Sequence, residues 1–234
     1  MALPDGEPPR FESAVNPLPP AVWLLFLAII GVEAALTLGA NGIVGGPGAV
    51  GWRLQAIRDY GFSAQVFQWM LEQHFWPREH LLRFVTYPFI HPVFTSTLFS
   101  CAMLLALGKW VGEIMGSLAV LVIFFAAAIL GALLYGLLAT EDFPLIGAFP
   151  PVYGLIGAFT WALWVRLRAY GQQQLRAFTL IGVLMGLQLL FGLIFGATQG
   201  WIADIGGFIA GFVLAPVLVP GGFRALVARL RREG

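Results

Sequence analysis

Apolar runs of membrane-spanning length recur along this chain, and they decide what it can fold into. Residues 21–39 hold a single charge, Glu33, and further runs follow at about 84–108, 114–138, 151–167, 178–197 and 201–219. A helix needs about 20 mainly apolar residues to cross the hydrocarbon core. The core has no water to satisfy bare amides, so each run must satisfy its own backbone as a helix. Hydrophobic residues make up 59% of the chain and charged ones 11%, with a mean hydropathy of +0.84. Soluble domains average roughly 45–50% and about 25%. Lipid is the expected solvent. A disordered chain, a nucleic-acid-binding domain and a soluble globule are excluded. The expected fold is an all-α polytopic membrane protein with one six-helix domain over 21–220. Short links are expected around 109–113, 139–150, 168–177 and 198–200.

The long first loop, residues 40–83, opens on glycines (NGIVGGPGAVG) and turns aromatic and amphipathic. Ser63 is a good N-cap for a helix over 64–76 that Pro77 stops. Val66, Phe67, Met70, Leu71 and Phe75 recur at helical spacing, and Trp69 and Trp76 suit the headgroup region. The helix either lies in the membrane interface or packs on the protein's own surface. His74 and His80 read as interfacial side chains, and their spacing is not that of a zinc motif. Cys101 is the one cysteine, so no internal disulfide is possible and a small apolar filler is expected. No metal or cofactor motif is evident.

Residues 1–20 are polar, proline-rich and acidic and lack signal-peptide features, so a disordered cytoplasmic tail is expected. Six spans put both termini on one side. That side holds Arg10, Lys109, Arg166, Arg168, Arg176, Arg224, Arg229, Arg231 and Arg232, nine of the thirteen basic residues. The positive-inside rule makes it cytoplasmic. Residues 221–234 form a basic cytoplasmic segment that either rests on anionic lipid or is a plain flank. The expected location is a bacterial inner membrane.

Three segments then become recognisable. GAFPPVYGLIGAF (147–159), WIADIGGFIAGFVLA (201–215) and RFVTYPFIHPVFTSTLFS (83–100) stand in this chain. Respectively they resemble the nucleophile helix, the base helix and the Arg-His-His-Asn segment of rhomboid intramembrane serine proteases, and they follow one another along the chain in the family's order. The large first loop and the six-helix plan match as well, so the resemblance implies a rhomboid-like bundle. It covers roughly 83–219. The close-packing glycines expected in it are Gly154, Gly157, Gly207 and Gly211, the last two forming a GxxxG.

The same alignment implies that the chemistry is gone. The nucleophile position falls on Phe149 and the base position on Asp204. The oxyanion-site positions fall on Ser96, Ser100 and Pro150. His91 alone remains of the two histidines, and Leu82 stands where the family has Trp, beside a retained Arg83. The family reaction needs a hydroxyl to attack and an imidazole to take its proton. Phenylalanine supplies neither, and no serine occurs beyond Ser117. Gly112-Glu113 lies near the family's acid pair but out of register and is given no role.

The resemblance therefore implies a pseudoprotease without cofactor. Its expected partners are membrane lipids and transmembrane client proteins, in quality control or complex assembly. His91, Ser96, Ser100, Tyr153 and Asp204 are expected to form a polar cluster. Glu33, about twelve residues into its run, faces the bundle or a water pocket, in a structural or a client-facing role, and the sequence does not name its partner. One alternative is a rewired protease using Ser96 or Ser100 with His91 and Asp204. Another is a transporter using Glu33 and Asp204, against which stands the lack of an evident inverted repeat.

Overall fold

The structure, a computed structural model, describes residues 17–186 and 198–222. Most of the expected N-terminal tail, the second half of the fifth run and the basic segment from 223 lie outside the described residues. So do Arg10 and the four C-terminal arginines on which the expected orientation leaned.

The described residues are helical, apart from an isolated antiparallel bridge between Phe62 and Leu145. The helices are α1 (Pro20–Ala40), α2 (Trp52–Tyr60), α3 (Ala64–Gln73), α4 (Arg78–Thr86), α5 (Phe94–Met115), α6 (Ser117–Leu138), α7 (Phe149–Ala169), α8 (Gln174–Gly186, opening with a 3-10 turn) and α9 (Trp201–Leu218). Four of them, α1, α5, α6 and α9, are long and apolar enough to cross a membrane. Helix α7 has 21 residues, a spanning length. Two prolines, a tyrosine and two terminal arginines lower its hydropathy. It is wrapped by protein instead: every residue from Pro150 to Ala158 is buried. A helix shielded by its neighbours needs no apolar coat of its own.

Two expected boundaries move, each for a local reason. The second run was expected to begin at residue 84. Pro88 and Pro92 forbid that, because proline lacks the amide donor and clashes with the preceding turn. The chain instead ends α4 at Thr86, makes a 3-10 turn over Tyr87–Phe89, and begins α5 at Phe94. The link expected at 109–113 lies inside α5. Glu113 is exposed there, and Gly112 packs on Pro19. The break comes at Gly116, whose φ of 93° an L side chain rarely adopts.

The amphipathic helix also ends early. Ser63 caps α3, its hydroxyl accepting from Val66 N at 3.3 Å. His74 then takes a left-handed φ of 51°, and Phe75 N–H bonds back to Met70 O, which closes the helix before Pro77. Ala64, Phe67 and Met70 are buried. Phe62, Phe67, Phe84 and Tyr87 pack with Ala128, Ala132 and Tyr135 of α6. Gln68 Nε2 donates to the carbonyls of Gly136 and Ala139 at the end of α6, giving orphan acceptors a partner. Trp69, Leu71, Phe75 and Trp76 stay exposed. One face of α3 thus belongs to the protein and the other to its surroundings.

In the bundle, α7 packs most extensively on α9 and then on α6, while α1 packs on α5. A Cβ built on Gly207 would run into the Pro150 carbonyl, and one on Gly211 into the Gly154 carbonyl. One on Gly157 would strike Phe208 O. Backbone thus lies on backbone along the α7–α9 seam, an approach open only to residues without side chains. Gly131 of α6 closes the third side, 2.7 Å from Ala203 O in the same test.

Candidate functional site

The segment leading into α7 is held from three directions. Phe62 and Leu145 exchange backbone hydrogen bonds of 3.0 and 2.7 Å, tying it to the first loop. Gly147 N donates to Tyr87 O at 3.0 Å. Gly147 turns with φ 95°, and a Cβ there would sit 3.5 Å from the His91 ring. Ala148 N then donates to His91 Nε2 at 3.2 Å. Helix α7 begins at the next residue, Phe149.

His91 is fully buried in the non-helical link ahead of α5. An Nε2 that accepts a backbone N–H is unprotonated, so the ring is neutral with its proton on Nδ1. The environment agrees. Burial pushes the imidazole down to about 4; the nearby Glu33 charge opposes this and the Arg53 charge adds to it. His91 therefore acts as a neutral bracket for the start of α7.

Phe149 is half-buried and packs against the bundle core, with Pro150 and Pro151 buried behind it. Both prolines sit in the first turn of α7, where a missing N–H costs little. Tyr153, one turn further on, is buried. Asp204 is buried in the first turn of α9, where the helix dipole favours an acid. Tyr153 and Tyr87 both lie within electrostatic reach of Asp204, and Tyr87 OH donates to Ala128 O at 3.1 Å. Neither Tyr153 nor Asp204 stands unpartnered.

The two serines lie in α5. Ser100 is fully buried in α5, and its hydroxyl has no hydrogen-bond partner. Ser96 is half-buried one turn earlier. The His91 nitrogen that a serine would need is taken by Ala148. Among the described residues no group of His, Cys, Asp and Glu could hold a metal ion.

A polar knot that the sequence did not disclose lies behind His91. Glu33 is buried, and Arg53 grips it through both guanidinium ends, at 2.6 and 3.1 Å. Thr37 and Thr97 each donate to the carboxylate at 2.8 Å. Arg53 also donates to His91 O at 2.7 Å. First helix, first loop and α5 thus meet on one carboxylate, and Arg53 ties the His91 link to it. The only signal in the sequence was Glu33 itself, an intramembrane acid that requires a partner; Arg53 comes from a loop helix, α2, that hydrophobic patterning did not reveal.

The comparisons with known proteins agree with this architecture. The family model described as Rhomboid domain matches residues 78–221. No curated protein matches the chain in sequence. The match takes in α4 to α9, with the His91 link, the start of α7 and the Asp204 turn all inside it, and by it the chain belongs to the rhomboid family.

Proposed function

We propose that this rhomboid-family protein is non-proteolytic and binds or scaffolds transmembrane segments of client proteins, in quality control or complex assembly. The observation that carries the proposal is Phe149 at the first position of α7, the place the resemblance gives to the nucleophile. Its ring packs against the bundle core and has no group that can attack a carbonyl. Several further features support it. Asp204 stands where the resemblance puts the family's imidazole base. Pro150 offers no N–H to an oxyanion, and donors of that kind are worth about 3–4 kcal/mol each. A rewired Ser–His pair is disfavoured because His91 Nε2 already accepts from Ala148 and Ser100 makes no hydrogen bond.

The test uses the protein in liposomes with a panel of labelled transmembrane peptides, reading binding and cleavage in the same samples, with an active rhomboid protease as control. Binding without cleavage is the expected result. Cleavage that disappears on Asp204→Asn or Ser100→Ala would make the protein a rewired protease and overturn the proposal.

A further inference from the structure

The first-loop lobe holds a second polar site, away from Phe149 and Asp204. A small niche between α3 and α4, partly open to the surroundings, is walled by the rings of Phe62, Phe67 and Phe84 and by three polar side chains, Ser63, His80 and Arg83. The Ser63 hydroxyl is occupied in capping α3. The other two are not engaged: His80 Nδ1 and Arg83 Nε are buried and have no hydrogen-bond partner. Among the described residues Arg83 forms no salt bridge, and no carboxylate lines the niche. Arg53 shows what the same fold does with a cation it satisfies internally. A buried N–H of a guanidinium without an acceptor is costly, and an acceptor arriving from outside removes the cost.

The surroundings state which acceptor. His80 and Arg83 are three residues apart and share one face of α4. Arg83 offers a planar guanidinium fork and His80 a ring N–H, donors suited to the oxygens of a phosphate. Trp76 packs edge-on against the niche wall Phe67, and the first-loop helices expose further apolar and aromatic side chains: Trp69, Phe75, Trp76 and Leu82 are exposed at 44%, 59%, 46% and 59%. Tryptophans of this kind sit at headgroup depth. A phosphate carried on acyl chains satisfies both halves; a free phosphate satisfies one.

We propose that the mouth of the niche binds the phosphate of a membrane phospholipid, with Arg83 and His80 turning out to take its oxygens and the exposed aromatic residues lying along its chains. Native mass spectrometry of the full-length protein in detergent tests this, with phosphatidylglycerol, phosphatidylcholine and inorganic phosphate as probes. Wild type is expected to retain both lipids, phosphatidylglycerol the more tightly. Arg83→Gln should need about tenfold more phosphatidylglycerol for equal occupancy, and His80→Gln several-fold more. Arg58→Gln should match wild type, since Arg58 is 83% exposed beside Asp59. If Arg83→Gln fails to fold, His80→Gln decides alone. Wild-type retention by a folded Arg83→Gln or, failing that, by His80→Gln overturns the site. An equal loss in Arg58→Gln reduces it to diffuse surface charge, and displacement of lipid by equimolar inorganic phosphate makes it a free-anion site; either result overturns the proposal.

Discussion

At the residue scale, two positions carry predictions of opposite kinds. Gly211 faces the Gly154 carbonyl with no room for a side chain. Gly211→Ala should therefore cost about 1–3 kcal/mol, the usual penalty for overpacking a rigid contact. Gly182→Ala, with nothing within 4 Å of the added carbon, should leave thermal unfolding unchanged or slightly raised. His91 carries the pH prediction. Its ring falls to about 4 in the fold against about 6.5 in an unfolded chain. Between these values the unfolded state binds the extra proton, so stability is present above about 6.5 and declines as the pH falls toward 4. Melting temperature measured from pH 7 to 4 should drop more steeply for wild type than for His91→Gln. Equal slopes would mean that His91 is solvated or charged in the fold. The glycine contacts were partly legible beforehand, because GxxxG has a geometric meaning in lipid. The role of His91 was not, since a hydrogen bond to Ala148, 57 residues away, leaves no trace in local spacing.

At the element scale, the Arg53–Glu33 knot joins α1, α2 and α5 through charge-assisted hydrogen bonds. Arg53→Met leaves a buried carboxylate without its cation and should destabilise by about 3 kcal/mol, because uncompensated buried charge is expensive. Pairing it with Glu33→Gln should recover most of that loss in the same unfolding assay; full additivity of the two substitutions would show that they do not communicate. The elements themselves were read from the sequence with uneven success, and the reasons are physical. Ser63 announced the start of α3 because N-capping is a local hydrogen bond. Pro88 and Pro92 were just as legible, yet hydropathy summed over a long run hides two residues that break a helix. Lys109 and Glu113 suggested a loop, whereas a helix end at the membrane surface tolerates charge and only Gly116 supplied the backbone turn.

At the scale of the whole molecule, the bundle and its rhomboid membership could be read early because apolar length and three ordered motifs are global signals. On the proposed non-proteolytic reading several catalytic groups are absent together, and a single replacement should not restore them. Phe149→Ser is expected to show no cleavage of transmembrane peptides above the wild-type background, since neither a base nor Pro150's missing donor returns with it; clear turnover by that variant would mean that the scaffold kept its catalytic machinery intact. The knot at Glu33 has one more consequence, which concerns how the protein is made. Its carboxylate enters the bilayer with α1, but the guanidinium that neutralises it lies 20 residues later, and the Thr97 hydroxyl 64 residues later. An acid at mid-helix costs about 2.5–3.5 kcal/mol on insertion. Until the first loop and α5 have been made, α1 therefore carries an acid without its partners, and Glu33→Gln is expected to raise the membrane insertion of α1 expressed alone while leaving that of the full chain little changed.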